Sequence, residues 1–257
     1  MIDLHTHILY ELDDGSHSRE MTLSMLRIAL ESGTTHLVAT PHADPDYHFQ
    51  PELIQTQLES LRGVTSLNLY SGCDFHLSHD NLTAALARPR RYTINQGIYL
   101  LIELSNFIIF PNTADLYTRL EDVGLRIILT HPERNPLLRQ RPELIEQWVS
   151  QGRYMQVTAQ SLTGDFGGKV QRFSRWLMDR GLVHFVASDA HDPEHRPPRL
   201  DLARRWVESR YGEPWARLLF EVHPLAALES QPLDMAGYPP PRPEPARFAW
   251  LSRWFKS

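Results

Sequence analysis

Short apolar runs alternate along this chain with longer stretches that have apolar residues at helical spacing. The runs are rich in Val, Ile, Leu and Thr, and seven of them predict β-strands. The predicted strands cover residues 2–5, 35–42, 67–74, 99–105, 126–134, 154–160 and 184–191. The predicted helices cover residues 18–33, 51–61, 114–124, 142–152 and 170–181, and a further helical region covers 201–228. Several of these helices end at a glycine, as helix C-termini prefer.

The alternation of strands and helices predicts an α/β fold with a mainly parallel sheet. Either a barrel or a doubly wound open sheet accommodates this number of units in 257 residues. No glycine-rich nucleotide-binding loop follows a predicted strand, which disfavours the nucleotide-binding open sheet. A barrel is therefore the expected architecture.

Composition changes this picture in two respects. The formal net charge of −5 lacks the basic excess of duplex-binding proteins, so nucleic acid is not an expected partner. Cys73 is the only cysteine, so no disulfide forms within the chain, which suits a reducing compartment. The N-terminus shows no basic stretch followed by an apolar run, and no later apolar segment has membrane-spanning length. We therefore expect a cytoplasmic enzyme.

The composition shifts after Leu228, which divides the chain into a predicted domain at 1–228 and an extension at 229–257. Five prolines fall within residues 239–245 and predict a stiff, extended spacer. Phe248, Leu251 and Phe255 then recur at helical spacing beside tryptophans and basic residues. Docking of this end on its own domain or on a neighbouring subunit is the favoured interpretation. Binding to a membrane surface or a partner protein is the alternative.

Histidines and carboxylates concentrate where the predicted strands end. Besides Asp14 in the first loop, the candidate donors are His5, His7, His42, Asp74, Glu103, His131, Asp189 and His191. The carboxyl ends of parallel barrel strands share one face, so these side chains should converge. Imidazoles and carboxylates without thiolates suit divalent Zn, Mn or Fe. Since the donors outnumber the ligands of one ion, a multinuclear site is expected, at which bound water ionises near neutral pH.

Other residues of the same types receive structural interpretations. His36, His48 and His184 are expected to be structural histidines. Asp13 is expected to form only the turn before the first helix, where Ser16 or Ser18 would be the cap.

Arginines follow two of the predicted strands and are suited to bind phosphate. Arg134 lies three residues after His131, and Arg196 and Arg199 follow the strand that ends in "SDAH". Guanidinium groups donate paired hydrogen bonds that match phosphate oxygens. We expect Arg134 and Arg196 to reach the site, and Arg199 to lie on the surface.

The motifs "DLHTH", "TPH", "THPER" and "SDAH" resemble those of the polymerase and histidinol phosphatase (PHP) superfamily. Longer matches, such as "DLHTHILYELDDGSHSREMTLSML" and "YGEPWARLLFEVHP", resemble the bacterial manganese-dependent protein tyrosine phosphatases of capsule and exopolysaccharide synthesis. The similarity runs from Met1 to about Pro224. Asp74 stands where these phosphatases usually have the longer glutamate.

The resemblance implies a distorted seven-stranded (β/α) barrel with a trinuclear metal centre. Manganese is the expected metal, and iron, zinc and cobalt are alternatives. The implied substrate is phosphotyrosine on a tyrosine autokinase of polysaccharide export, hydrolysed by a metal-activated hydroxide. Arg134 and Arg196 match the phosphate-binding arginines of these enzymes. The three implied ligand sets are His5, His7, Asp74 and Asp189; Asp74, Glu103 and His131; and Asp14, His42 and His191.

Other functions remain open at this stage. The enzymatic alternative is a small-molecule phosphatase acting on histidinol phosphate or a related monoester, followed by a polymerase-associated or nuclease role. The non-enzymatic alternative is a metal-bound module that its tail recruits to a membrane complex. A cysteine-dependent phosphatase needs an arginine six residues after its thiolate, and His79 occupies that position relative to Cys73.

Overall fold

A computed structural model of the chain describes residues 1–233 and 235. The strands are β1 Ile2–Thr6, β2 His36–Ala39, β3 His42–Ala43, β4 Asn68–Ser71, β5 Asp74–His76, β6 Tyr99–Glu103, β7 Arg126–Thr130, β8 Tyr154–Thr158 and β9 Phe185–Ala187. The first six helices are α1 Arg19–Glu31, α2 Pro51–Leu61, α3 His79–Ala87, α4 Thr113–Asp122, α5 Pro136–Gln140 and α6 Pro142–Ser150. The others are α7 Ala159–Thr163, α8 Gly168–Asp179, α9 Asp201–Tyr211, α10 Glu213–Arg217 and α11 His223–Leu228.

The predicted parallel arrangement is confirmed in the described residues. One sheet has the strand order β1-β2-β4, and the other has the order β3-β5-β6-β7-β8-β9. All strand pairs are parallel. A parallel bridge between Thr6 and Ala190 connects the end of β1 with the segment after β9, where the His7 backbone N–H donates to the Ala190 carbonyl at 2.8 Å.

Each predicted strand overlaps at least one observed strand, but two of the predicted strands break in the middle. The run at 35–42 divides into β2 and β3 on either side of Thr40 and Pro41, since proline has no N–H for a strand ladder. The run at 67–74 ends β4 at Ser71 and starts β5 at Asp74, with Gly72 between them. Both breaks fall where the chain passes from one sheet to the other.

Alternate residues of β6 face two different apolar clusters. Leu100 and Ile102 of β6 pack in the larger cluster with Tyr117 and Leu120 of α4. Tyr99 and Leu101, on the opposite face of β6, pack in another cluster with residues of β1, β7 and α11. Glu103 continues this second face at the carboxyl end of the strand. The same face is therefore apolar at one end of the sheet and carries a carboxylate at the other.

The predicted helical region at 201–228 contains α9, α10 and α11, and the chain after it packs against the domain. Leu233 is buried in the same cluster as Ile2 and Leu4, and the Tyr99 hydroxyl donates to the Gln231 carbonyl at 2.7 Å. The proline-rich and aromatic parts of the predicted extension, at 236–257, lie outside the described residues. Among the described helices, none has the length and hydropathy needed to cross a bilayer.

Candidate metal centre

The nine predicted donors are brought together at the carboxyl ends of the strands. His5 is in β1, His42 is in β3, Asp74 begins β5 and Glu103 ends β6. His7, His131, Asp189 and His191 follow their strands by a few residues, and Asp14 comes from the loop between β1 and α1. All nine belong to groups whose ligand atoms lie within 4.8 Å of one another. We call these nine residues the donor cup.

Asp74 and His5 lie at the bottom of the donor cup, where both side chains are fully buried. The Asp74 Oδ2 atom is 3.4 Å from His5 Nε2, 3.5 Å from His42 Nδ1 and 3.9 Å from His131 Nε2. His42 is paired with Asp74 across the β3–β5 ladder. The Asp74 side chain therefore reaches three imidazoles.

The outer part of the donor cup is formed by Asp14 with His42 and His191. Asp14 Oδ1 is 3.4 Å from the Nε2 atom of each histidine. The Asp14 side chain is 51% exposed, whereas the Asp189 side chain is 2% exposed. The cup therefore opens to solvent on the Asp14 side.

The spacing and the unsatisfied atoms of the cup suit divalent cations. Two ligands about 2.1 Å from a tetrahedral ion lie about 3.4 Å apart, close to most of the nitrogen–oxygen separations above. Asp74 Oδ2 and His42 Nδ1 are buried and have no hydrogen-bond partner within residues 1–233. Because buried polar atoms are almost always paired, their convergence fits an ion held between them. The donors form four overlapping groups, in which His5, His7, His42 and Asp74 each occur twice.

Two side chains outside the predicted set orient the histidines. Asp13 Oδ2 accepts from His7 Nδ1 at 2.6 Å and from the His42 backbone N–H at 3.0 Å. Gln156 Oε1 is 2.9 Å from His5 Nδ1. Metal-binding histidines commonly hold their second ring nitrogen in such a bond, which leaves the other nitrogen free for the metal.

Asp13 also forms the predicted turn, but this is only part of its role. Its Oδ1 atom accepts from the Gly15 backbone N–H at 3.0 Å, and Ser18 caps α1 by accepting from Met21 N at 3.2 Å. A Cβ atom on Gly15 would lie 2.1 Å from the His7 carbonyl oxygen. Only glycine therefore allows this turn to pack against the end of β1 and bring Asp13 to His7.

The carboxylates of the cup control the protonation of its histidines. Burial lowers the pKa of His5, but Asp74 and Asp189 outweigh burial and raise that pKa to about 9. Burial also lowers the pKa of His42, but Asp14 and Asp74 outweigh burial and raise that pKa to about 10. Both imidazoles are therefore protonated near neutral pH unless cations compensate the carboxylates, and metal binding must displace these protons.

The remaining donors respond differently to burial. Burial and the Arg134 guanidinium lower the pKa of His131 to about 4, so this imidazole is neutral and available as a ligand. Burial and the neighbouring Asp74 raise the pKa of Glu103 to about 7. A divalent cation between these two carboxylates would favour the ionised form of Glu103.

Backbone strain occurs at two of the donors. His131 has a φ angle of 32° and Asp189 has a φ angle of 52°, in the left-handed region that few residues other than glycine adopt. The Asp189 N–H donates to the His5 carbonyl at 2.9 Å, and the His131 carbonyl accepts from Arg134 N at 2.9 Å. Such strain is frequently retained at functional sites, where surrounding contacts compensate its cost.

Arg134 and Arg196 reach the donor cup from two different loops. Both guanidinium groups donate to Asp189 Oδ2, Arg196 at 2.7 Å. The Phe166 ring lies beneath both guanidinium groups, with its centre 4.7 Å from Arg134 Cζ and 5.9 Å from Arg196 Cζ. The face of an aromatic ring attracts cationic groups at such distances. Arg199 instead pairs with Asp201 at 2.9 Å at the surface, as expected.

Residues with predicted structural roles lie outside the donor groups. His184 Nδ1 accepts from Met155 N at 3.1 Å, and burial lowers the pKa of His184 to about 3. His36 stacks on Tyr70 with ring centres 6.0 Å apart. Cys73 is buried, and burial raises its pKa well above the usual value. The thiol is therefore not a nucleophile in this environment.

Comparisons with known proteins agree with the resemblance found in the sequence. Residues 1–229 match a family described as capsular polysaccharide synthesis, CpsB/CapC. The putative tyrosine-protein phosphatase CapC of Staphylococcus aureus is 34% identical over 203 residues, covering 77% of this chain and 79% of that protein. The tyrosine-protein phosphatase YwqE of Bacillus subtilis strain 168 is 31% identical over 228 residues, covering 86% and 89%.

Solved structures show the same relationship. One belongs to a study described as crystal structures of YwqE from Bacillus subtilis and CpsB from Streptococcus pneumoniae, unique metal-dependent tyrosine phosphatases. It superposes with a TM-score of 0.85 at 28% identity, covering 95% of this chain and 99% of that chain. The lactonase Lmo2620 of Listeria monocytogenes has a TM-score of 0.57 at 12% identity, which shows a similar fold only. The chain therefore belongs to the CpsB/CapC family of capsular polysaccharide synthesis.

Proposed function

We propose that this protein is a metal-dependent protein tyrosine phosphatase that acts on a bacterial tyrosine autokinase in polysaccharide synthesis. The observation that carries the proposal is the donor cup with two arginines at its edge, in a chain whose relatives are named tyrosine-protein phosphatases. The match to a family of capsular polysaccharide synthesis supports a kinase partner, whose phosphotyrosine-bearing tail would be the substrate. A cytoplasmic location at the inner face of the membrane suits such a partner.

The nine donors are the proposed ligands of three divalent ions, with manganese as the expected metal. The distances support the set Asp14, His42 and His191, in which both histidine contacts to Asp14 are 3.4 Å. They also support a bridging role for Asp74, which lies near three imidazoles. His7 groups both with Asp14 and with Asp189, and its one remaining ring nitrogen would bind a single ion.

The ions, when bound, would supply Lewis acidity and lower the pKa of coordinated water toward neutrality. Arg134 and Arg196 would hold the phosphoryl oxygens, because their planar donors converge on one oxygen atom of Asp189 and can be shared with a phosphate at the same edge. Asp189 and Phe166 orient the two guanidinium groups before substrate binds. Tyrosine leaves as a phenolate with a reference pKa of about 10, so a general acid is less important than it would be for serine.

We also infer that the two sheets form one distorted seven-stranded barrel. The bridge between Thr6 and Ala190 supports this inference, because it links β1 to the segment after β9. Counting β2 with β3 and β4 with β5 gives seven strands. We further propose a catalytic domain at 1–228 with an extension at 229–257, supported by the family match at 1–229. Membrane binding through the extension would place the enzyme near its kinase, whereas docking of the extension on a neighbouring subunit would give an oligomer.

Removal of the metal should abolish activity. Protein treated with a chelator should lose phosphotyrosyl-peptide hydrolysis, because no bound ion would remain to lower the pKa of the attacking water. Added Mn²⁺ should restore turnover, whereas iodoacetamide should not reduce it, since Cys73 is buried. Phosphate release from a phosphotyrosyl peptide, histidinol phosphate and single-stranded DNA measures the preference. Faster turnover of histidinol phosphate, or activity that survives metal removal, would refute the proposal.

Replacement of Arg134 by methionine should slow phosphotyrosine hydrolysis by about 10²–10³-fold, because one charged donor to the phosphoryl group is lost. Steady-state kinetics with the manganese-loaded enzyme measures this change. Arg199→Met is the matched control, since Arg199 pairs with Asp201 at the surface, and it should retain the wild-type rate. Equal rates for the two variants would remove Arg134 from the proposed phosphate site.

Replacement of Asp13 by asparagine should weaken metal binding or turnover by about 10–100-fold, because the charged partner of His7 is lost. Calorimetric titration with Mn²⁺, alongside kinetics at saturating metal, separates affinity from rate. Asp46→Asn removes an exposed carboxylate from the segment after β3 and should change neither quantity. An Asp13 variant with wild-type affinity and rate would show that the turn alone explains this residue.

A further inference from the structure

An apolar groove lies beside the donor cup, between the segment that follows β6 and the start of α3. It encloses a cavity of about 600 Å³. Its lining includes Leu77, Leu82, Leu104, Ile109, Phe110 and Leu116. We call this cavity and its rim at 104–112 the β6 groove.

The β6 groove lies next to the proposed catalytic site, on the segment that directly follows β6. Glu103, the last residue of β6, is followed directly by Leu104 and Ser105, which line the groove. His76, another lining residue, pairs with Glu103 in the β5–β6 register. A substrate held at the donor cup would therefore have the groove as its immediate neighbour.

Asn135 ties the edge of the groove to the loop that carries Arg134. Its side-chain amide donates to the Leu104 carbonyl at 3.3 Å and to the Ser105 carbonyl at 3.1 Å. Its side-chain oxygen accepts from the backbone N–H groups of Leu137 and Leu138, at the start of α5. Asn135 therefore fixes the rim of the groove relative to the loop that carries Arg134.

The rim exposes apolar side chains that the described part of the chain leaves largely uncovered. Phe107 is 94% exposed, Ile108 is 49% exposed and Phe110 is 48% exposed. Adjacent exposed apolar residues of this size commonly mark a binding surface. Their position beside the donor cup, rather than on a remote face, indicates a partner that also reaches the cup.

The groove lining carries the guanidinium group of Arg119 and no carboxylate, so it would not repel an anionic partner. Its lining contains no carboxylate, although the chain as a whole has a formal net charge of −5. His76, His79 and Arg119 are the ionisable groups of the lining. A phosphotyrosyl polypeptide is anionic at its phosphate and continues on both sides of the tyrosine, so part of it must leave the cup across neighbouring surface.

We propose that the β6 groove binds the substrate polypeptide beside the phosphotyrosine, taking up its apolar side chains. This inference rests on the proposed phosphatase function and adds a determinant of substrate choice to it. Phe107 and Phe110 contact the flanking chain, whereas the donor cup and the arginines contact the phosphoryl group. The groove therefore contributes to binding of polypeptides and not to binding of free phosphotyrosine.

The test compares two substrates on two matched double variants of the manganese-loaded full chain. The substrates are free O-phosphotyrosine and a phosphotyrosyl peptide with apolar and acidic flanking residues. The groove variant carries Phe107→Ser and Phe110→Ser. The control variant carries Leu30→Ser and Val64→Ser, which replace side chains that are 43% and 50% exposed at the end of α1 and after α2.

The groove variant should show a KM for the peptide that is raised by about tenfold, because two apolar anchors are lost. Its kinetics with O-phosphotyrosine should match the wild type, and the control variant should match the wild type with both substrates. An unchanged peptide KM would contradict the groove proposal and leave the proposed phosphatase function intact. An equal loss with both substrates would also overturn it, because the segment would then support the catalytic site itself.

Two further outcomes are distinguishable. If the wild type hydrolyses neither substrate, the proposed function fails and the groove assignment fails with it. If the groove variant loses sedimentation with anionic lipid vesicles while peptide kinetics remain unchanged, the exposed rim is a membrane contact, and the peptide assignment is wrong.

Discussion

The close approach of buried carboxylates is the constraint on which the rest of the structure depends. Asp74 and Asp189 are nearly inaccessible to solvent and lie within 3.5 Å of the same His5 nitrogen. Such charges are costly to bury unless positive groups accompany them. Arg134 and Arg196 compensate Asp189, and imidazoles surround Asp74. Asp74 Oδ2 has no hydrogen-bond partner among the described residues, and the pKa values of His5 and His42 are raised. Both observations indicate that the cup lacks sufficient positive charge without metal ions.

The fold meets this constraint by separating apolar and polar positions along single strands. Tyr99 and Leu101 bury one face of β6 in the apolar cluster, while Glu103 ends the same face in the cup. In β8, Tyr154 belongs to that cluster, and Gln156, two residues later, orients His5. The packing that stabilises the sheet thus also fixes the positions of the donors. The β6 groove extends this arrangement, because its rim begins where Glu103 ends the strand.

Much of the fold and the cup could be predicted from the sequence because the relevant signals are local. Strand runs ending in "LHTH", "TPH" and "SDAH" place donors at strand ends, whatever the details of packing. The breaks at Pro41 and Gly72 were missed because an apolar run does not show where a strand changes sheet. The orienting role of Asp13 was also missed. Its contact with the His42 N–H spans 29 residues, and the role depends on how closely Gly15 packs on His7. Likewise, Phe166 has no sequence signal that links it to both arginines.

Anomalous diffraction from crystals of the manganese-loaded protein, recorded at the manganese absorption edge, would locate the ions directly. We expect three peaks inside the donor cup, each within coordination distance of members of the nine-residue set, with Asp74 between two of them. Manganese bound outside the cup, or a cup in which Asp74 and His42 contact no ion, would contradict this expectation.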